Sequence, residues 1–140
     1  RYVINGAVTS ALTFFVARYW TVPKVGLAVA DAFGLALFTI VGTSIGLAAE
    51  VGLTNSVVLG VITGVAGGIL RDLLVGEVPL VLRAGIYLYA TAAVFGATSY
   101  VLLEHYHSGH HLNRLIGIGT TLGLRLIAMR WKVSLPEFPK

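Results

Sequence analysis

The chain has 140 residues, of which 56% are hydrophobic and only 11% are charged, whereas charged residues make up about 25% of an ordinary soluble protein. This composition excludes a typical soluble domain and indicates a membrane protein. The chain contains no cysteine, which excludes a disulfide framework, thiol catalysis and a cysteine-ligated metal.

Five apolar runs follow one another, and each is close to the roughly 20 residues that a helix needs to cross the hydrocarbon core of a bilayer. They cover 2–19, 25–49, 53–74, 80–103 and 112–133. The first run is too long for the apolar core of a signal peptide and is interpreted as a span. A buried soluble bundle would need charged outer faces, which these runs lack. The sequence therefore predicts an all-α fold, a polytopic bundle of transmembrane helices.

The net charge of +4 follows the predicted topology. Eight of the ten basic residues lie on one side of the spans, in the first and third connections and near the C-terminal end. Because basic residues concentrate on the cytoplasmic side of membranes, we expect the N-terminus of this chain outside and its C-terminus in the cytoplasm. This distribution removes the reason to expect nucleic acid as a partner.

The first and fourth runs are weakly similar and are expected to cross in opposite directions. Residues 2–16 and 87–101 share a tyrosine, an alanine, a threonine and a valine at equivalent positions. Inverted-topology repeats produce this relation. We expect residues 1–22 to be the last helix of a first repeat, 24–106 to be a second three-helix repeat and 111–134 to be a final helix. This chain would then be the C-terminal part of a longer protein.

The third run has one polar or bare face, because a helix turns 100° per residue. The residues on or near this face are Ser56, Gly60, Thr63, Gly64, Gly67 and Arg71. Such residues either let neighbouring helices approach closely or line water at membrane depth, and the two interpretations are equally good on the sequence alone. Adjacent Gly67 and Gly68 would allow a kink or break.

The glycines of the second and fifth runs are interpreted as helix-packing positions, in small-xxx-small patterns. They are Gly34, Gly42 and Gly46 in the second run and Gly119 and Gly123 in the fifth.

Asp31 is an acid well inside the second run, roughly two turns from its cytoplasmic end. An ionisable side chain at that depth costs several kcal/mol unless it is paired or hydrated. Asp31 is therefore a candidate for an ion path. The alternative is a structural salt bridge to Arg71 or Arg125.

Further charged residues lie at the expected cytoplasmic ends. Arg71 and Asp72 close the third run, and their directions differ by about 100°, so we expect that they do not easily share a partner. Arg83 and Tyr87 begin a less continuous polar stripe on the fourth run. Arg125 is expected to extend its charged head toward the interface.

The segment EHYHSGHH places four histidines between His105 and His111. Imidazole is a common zinc ligand, but a flexible connection implies no fixed geometry, so a solvated loop is the better interpretation and no metal site is expected. No phosphate-binding or dinucleotide fingerprint occurs. We expect neither an enzyme nor a cofactor.

Three stretches carry a family resemblance: DAFGLALFTIVGTSIGLAAEVGL, VLGVITGVAGGILRDLLVGEVPLVLR and IYLYATAAVFGA. They resemble the second repeat of the prokaryotic trimeric intracellular cation (TRIC) channels, a family also labelled as a glycine transporter domain. The resemblance implies seven helices, with two inverted three-helix repeats and a final helix, of which five are visible here. It also implies a homotrimer with a pore in each protomer.

The resemblance further implies a glycine triplet that bends the pore helices. The equivalent residues here are Ala66, Gly67 and Gly68, and the alanine predicts a smaller or shifted bend. Pore function would then fall on Gly67, Gly68 and Thr63. The charged neighbours would be Asp31, Arg71 and Asp72.

We expect a channel for monovalent cations, mainly potassium, in which loosened backbone and hydroxyl groups replace part of the hydration shell. Arg71 would act as a cytoplasmic gate or voltage-responsive element. The alternative is a secondary transporter for glycine or another small zwitterion, whose amine or proton Asp31 would accept. A third possibility is a helix-packing subunit without conduction of its own.

Overall fold

The structure is a computed structural model that describes residues 1–19, 24–79, 82 and 88–131. It contains five α-helices within these ranges: α1 (Tyr2–Tyr19), α2 (Lys24–Ala48), α3 (Leu53–Val75), α4 (Leu88–Tyr106) and α5 (His111–Trp131). The described residues form no strand. The predicted all-α bundle is confirmed.

The α2 and α3 helices form an antiparallel pair joined by a short turn in which Gly52 has a φ of 95°, a conformation that glycine adopts without strain. Along the pair, glycine on one helix meets a hydroxyl residue on the other. A Cβ added at Gly42 would lie 2.6 Å from Thr63 Oγ1, and one at Gly46 would lie 2.8 Å from Ser56 Cα. A Cβ at Gly60 would overlap Thr43 Oγ1. The packing role predicted for the α2 glycines is confirmed at Gly42 and Gly46. Gly34 does not pack against the described residues, because a Cβ there would meet no heavy atom of them within 4 Å.

The α4 and α5 helices form a second pair, again packed through glycine. A Cβ at Gly96 would overlap Thr121 Oγ1, and one at Gly117 would lie 2.9 Å from Tyr100 Cβ and 2.6 Å from Ile40 Cδ1 of α2. Gly119 and Gly123 do not pack against the described residues, because a Cβ at either would meet no heavy atom of them within 4 Å. Their predicted packing role stays a prediction. The α5 helix is rotated so that Gly117 faces its neighbours instead.

The turn between α4 and α5 is held by one carboxylate. Glu104 Oε1 accepts a hydrogen bond from the Gly109 amide at 2.8 Å, and its Oε2 accepts one from Asn113 Nδ2 at 2.8 Å. The same Asn113 nitrogen donates to the His107 carbonyl at 2.7 Å. These bonds connect the end of α4 to the start of α5.

The first helix differs from the other four. Every α1 side chain that the structure describes is exposed, and α1 makes no extensive contact with the rest of the described chain. The α2, α3 and α4 helices share a buried centre in which Leu35, Tyr89 and Ala93 pack together, and α5 packs against α2 and α4. The described bundle is therefore α2 to α5. The predicted repeat that assigns α1 to a first unit stays a prediction.

Two described helices are long and apolar enough to cross a bilayer, namely Val25–Ala48 of α2 and Leu53–Leu74 of α3, with mean hydropathies of 2.0 and 1.8. The other three are 18, 19 and 21 residues long. Three arginines lie on α5, which lowers its apolarity. Length and apolarity alone therefore support a crossing most directly for the α2–α3 pair.

Candidate functional site

Four helices contribute charged or hydroxyl side chains to one region at the end of the bundle opposite the α2–α3 turn. We refer to these residues as the charged cluster: Asp31 of α2, Arg71 and Asp72 of α3, Tyr89 of α4 and Arg125 of α5. The side chain of Asp31 is 5% exposed and that of Arg71 is 29% exposed. The cluster is therefore largely removed from solvent.

Arg71 connects two carboxylates. Its Nη1 donates to Asp31 Oδ1 at 2.6 Å, while its Nε and Nη2 donate to Asp72 Oδ1 at 2.9 Å and 2.5 Å. Arg71 and Asp72 bond to each other, because the long arginine side chain folds back along the helix to its neighbour. The expectation that the two do not easily share a partner stays a prediction. The salt-bridge interpretation of Asp31 is confirmed, with Arg71 as the partner.

Tyr89 joins the pair from α4. Its hydroxyl donates to Asp31 Oδ1 at 3.2 Å, and the Arg125 guanidinium carbon lies 4.9 Å from the centroid of its ring. This distance is within the range of a cation–π interaction. The expectation that Arg125 extends to the interface is wrong, since this residue is only 6% exposed and its side chain packs on Tyr89 inside the bundle.

Two polar atoms of the cluster are buried without a hydrogen-bond partner among the described residues: Asp31 Oδ2 and Arg125 Nε. A buried unsatisfied polar atom costs about 1–3 kcal/mol. The cluster as a whole contains two carboxylates and two guanidinium groups, so its formal charges cancel. Local pairing is thus incomplete although the overall charge is balanced.

A cavity of about 230 Å³ lies beside the cluster, between α2 and α3. It is lined by Leu27, Ala30, Asp31, Gly34, Leu35, Phe38, Gly64, Gly67, Gly68 and Arg71. Most of this lining is apolar, and the charged groups in it are Asp31 and Arg71. The cavity therefore combines an apolar wall with one ion pair.

Glycines set the shape of this cavity. A Cβ at Gly34 would meet no heavy atom within 4 Å, and one at Gly67 would lie 3.7 Å from Phe38 Cδ2. A Cβ at Gly68 would overlap the Tyr89 hydroxyl. The bare backbone at Gly68 thus lets Tyr89 reach Asp31, while Gly34 leaves the cavity open.

The polar face predicted on α3 divides into two parts. Ser56 is fully buried against α2 and its hydroxyl donates to the Gly52 carbonyl at 2.8 Å. Gly60 packs on Thr43, and the Thr63 hydroxyl donates to the Leu59 carbonyl at 2.7 Å. These three residues lie in the α2–α3 contact, whereas Gly64, Gly67, Gly68 and Arg71 line the cavity. A role for the first three in an ion path stays a prediction.

The α3 helix is continuous from Leu53 to Val75. A break at Gly67 and Gly68, one of the options that the sequence allowed, does not occur, because these residues keep helical backbone within a packed pair. Arg83 and Tyr87, which were predicted to belong to the cytoplasmic mouth, lie outside the described residues.

Sequence reasoning missed Tyr89. One signal could have identified it, since a tyrosine inside an apolar helix needs a partner for its hydroxyl and Asp31 is an acid in another helix of the same protein. The histidine segment gives no comparable site. Among the described residues, no three histidine or acidic side chains lie close enough to hold a metal ion.

Comparison with known proteins gives consistent matches. The family model described as "Glycine transporter" matches residues 28–105. The UPF0126 inner membrane protein YadS of Escherichia coli is 41% identical over 138 residues, which is 97% of this chain and 66% of the relative. A UPF0126 membrane protein of Vibrio cholerae is 39% identical over 94% of this chain and 54% of its own length. The chain thus spans about two thirds or less of these curated relatives.

Solved structures of similar shape are cation channels. One, from work on conductance through TRIC cation channels, superposes with a TM-score of 0.80 at 34% identity and covers 99% of this chain and 68% of that structure. The TRIC trimeric intracellular cation channel orthologue from Rhodobacter sphaeroides gives a TM-score of 0.74 at 36% identity over 86% of this chain and 61% of its own length.

Proposed function

Because this chain belongs to the TRIC channel family, which carries the glycine transporter description, we propose that it is part of a membrane channel for monovalent cations, mainly potassium. The path lies within each protomer, beside the α2–α3 pair. The partners are the lipid bilayer, the permeating cations and two further copies of the chain in a homotrimer. The protein has no enzymatic activity in this proposal.

One observation supports this function more than any other. The carboxylate of Asp31 is buried among apolar helices at the wall of a cavity, where an ionisable group is costly unless it is paired or hydrated. Proteins keep such groups in membranes chiefly along ion and substrate paths. A fixed negative charge beside Gly64, Gly67 and Gly68 would attract cations into this space.

Arg71 opposes cation entry in the described arrangement, since it neutralises Asp31 at 2.6 Å. We therefore assign Arg71, together with Asp72, to the gate at the cytoplasmic mouth. A charge moved across the membrane field gains about 2.3 kcal/mol per 100 mV, which is enough to change the population of a gate. Arg83 and Tyr87 belong to the same mouth in this proposal.

The proposed orientation places the charged cluster in the cytoplasmic half of the membrane. The N-terminus of this chain is external and its C-terminus is cytoplasmic, as the distribution of basic residues predicts. The α4–α5 turn with its histidines is then external.

Planar-bilayer recording on the purified full-length protein, with potassium, sodium and glycine gradients, tests the proposal. We expect ohmic current carried by potassium, and we expect Arg71→Gln to change open probability more than ion selectivity. Unchanged gating in single-channel records of Arg71→Gln would remove the gate role. Absence of current from the wild-type protein under all gradients would contradict the channel itself.

A second function is a transporter for glycine or another small zwitterion. The cavity wall carries one carboxylate and one guanidinium, Asp31 and Arg71, which are complementary to an amine and a carboxylate on one small molecule. Saturable uptake without ohmic current, abolished by Asp31→Asn, would favour this function over the channel.

A further inference from the structure

Arg125 is a buried charge that forms no ion pair with a carboxylate of the described residues. It is 6% exposed, its guanidinium packs on the Tyr89 ring at 4.9 Å, and its Nε has no hydrogen-bond partner among the described residues. A cation–π contact contributes about 0.5–2 kcal/mol, less than a buried guanidinium loses on leaving water. Packing on Tyr89 alone therefore does not offset the cost of burying the Arg125 guanidinium.

Asp31 has capacity for another donor. Its Oδ1 accepts from both Arg71 and Tyr89, whereas its Oδ2 is buried and unpaired within the described part of the chain. Tyr89 lies between the two incomplete groups, with its hydroxyl on Asp31 and its ring under Arg125. A buried acceptor and a buried donor thus lie on either side of one tyrosine.

Arg71 can leave Asp31 without losing every charge partner. Two of its nitrogens already donate to Asp72 Oδ1, and its side chain is 29% exposed, so water can satisfy the freed Nη1. Arg125 has no second carboxylate among the described residues and is only 6% exposed. The two arginines therefore differ in how much each gains from Asp31.

We propose that Asp31 exchanges partners between Arg71 on α3 and Arg125 on α5, which makes Arg125 a second positioning residue for the Asp31 carboxylate. The net formal charge of the charged cluster stays zero throughout the exchange, because only the partner of Asp31 changes. When Asp31 pairs with Arg125, Arg71 withdraws to Asp72 and the cavity wall loses its cation. The exchange deepens the proposed function and rests on it for its link to conduction.

A double-mutant cycle tests whether Arg125 substitutes for Arg71. The melting temperature of the full-length protein in detergent is measured for Arg71→Met, Arg125→Met and the double variant. Each single variant leaves Asp31 one guanidinium, whereas the double variant leaves none, so we expect a loss in the double variant well beyond the sum of the single losses. Additive losses would overturn the proposal, as would failure of Arg71→Met to fold, because Arg125 would then be unable to replace it.

The conservative variant Arg125→Lys separates charge from packing. In the Arg71→Met background, we expect Arg125→Lys to melt at a higher temperature than Arg125→Met, because lysine still offers Asp31 a cation. Equal melting temperatures would show that Arg125 acts through packing alone and would overturn the exchange.

The rate at which an introduced cysteine reacts with a thiol reagent reports the exchange independently of any current measurement. These 140 residues contain no cysteine, and a Cβ at Gly34 projects into open space at the cavity. Gly34→Cys therefore gives a single reporter in the full-length protein once every cysteine outside these residues is replaced by serine. We expect labelling by an aqueous thiol reagent to be several-fold faster with Arg71→Met and slower with Arg125→Met. Gly119→Cys, which is also uncrowded but does not line the cavity, is the matched control.

Identical labelling rates of Gly34→Cys in both arginine backgrounds would overturn the exchange. Shifted labelling in a protein that carries no current would keep the exchange and remove the channel function. A current with unshifted labelling would keep the channel function and remove the exchange. The two failures are therefore distinguishable.

Discussion

The two ends of the α2–α3 pair are held together by different means. Near the α2–α3 turn, Gly42, Gly46 and Gly60 meet hydroxyl residues so closely that no side chain fits between the helices. At the other end, Asp31 and Arg71 join the helices across an ion pair, and a cavity remains beside them. Close packing excludes water and ions, whereas long charged side chains keep backbones apart. The bundle thus has a closed end, where Gly42, Gly46 and Gly60 pack, and an open end, where the cavity lies beside Asp31 and Arg71.

The largest effect in this comparison is expected from filling the closed end. In Gly60→Val, the added Cβ would overlap Thr43 Oγ1 and lie 2.6 Å from the Thr39 carbonyl oxygen, and a backbone atom cannot move away easily. We expect the free energy of unfolding to fall by about 3 kcal/mol or more, measured by thermal unfolding in detergent. Gly119→Val, where a Cβ meets nothing within 4 Å, is the control. A wild-type melting temperature for Gly60→Val would contradict this packing.

Removing the charge at the open end is expected to have the next largest effect. Asp31→Asn leaves Arg71 with Asp72 alone and weakens the bond from Tyr89, so we expect a loss of about 1–3 kcal/mol and a strong decrease in cation current. Glu50→Gln, an exposed acid in the α2–α3 turn, is the matched control at the closed end. Equal effects of these two variants on both measurements would remove the distinction between the ends.

A smaller effect is expected from the Tyr89 hydroxyl. Tyr89→Phe removes the hydrogen bond of 3.2 Å to Asp31 but keeps the ring under Arg125, so we expect a loss of about 1 kcal/mol. Tyr100→Phe, at a buried tyrosine of the closed half whose Cβ faces Gly117, is the comparison for loss of a hydroxyl. If Tyr89→Phe melted like the wild type, Tyr89 would not contribute to holding Asp31.

The smallest effect concerns pH at the α4–α5 turn, near the closed end. Glu104 lies one residue beyond the predicted fourth span, and hydrogen bonds from the Asn113 side chain and the Gly109 amide lower its pKa. A carboxylate whose pKa is lowered by folding contributes stability above its ordinary pKa, and this contribution is lost as the pH falls through the lowered value.

Because Glu104 is partly exposed to solvent, which screens its interactions, we expect less than about 1 kcal/mol from it. Acidification should lower the protection of the Gly109 amide from hydrogen exchange, relative to its intrinsic rate at the same pH, and Glu104→Gln should remove that pH dependence. Exchange that does not respond to pH beyond its intrinsic chemistry would contradict the role of Glu104 in the turn.

Several features of the site were accessible from sequence, and others were not. Asp31 and Arg71 stood out because charges are rare in apolar runs, and the structure pairs them. Arg125 was assigned to the interface and Tyr89 was overlooked. The sequence does not show which residues of another helix these two side chains contact. Gly42 and Gly46 were identified as packing positions correctly, but Gly119 and Gly123 were chosen where Gly117 packs. The small-xxx-small spacing thus predicts the contacts of Gly42 and Gly46, whereas Gly34, like Gly119 and Gly123, meets no heavy atom of the described residues within 4 Å.

The sequence by itself determined that this chain is a bundle of apolar helices, where most of those helices begin and end, and which few charges require an explanation. Composition and run length suffice for this, because each is local to one segment. Only the tertiary structure decided which faces meet, and hence that Arg71 pairs with Asp31 while Arg125 packs on Tyr89. The physical reason is that a helix apolar on every side has no periodic pattern to mark the face that turns toward its neighbour.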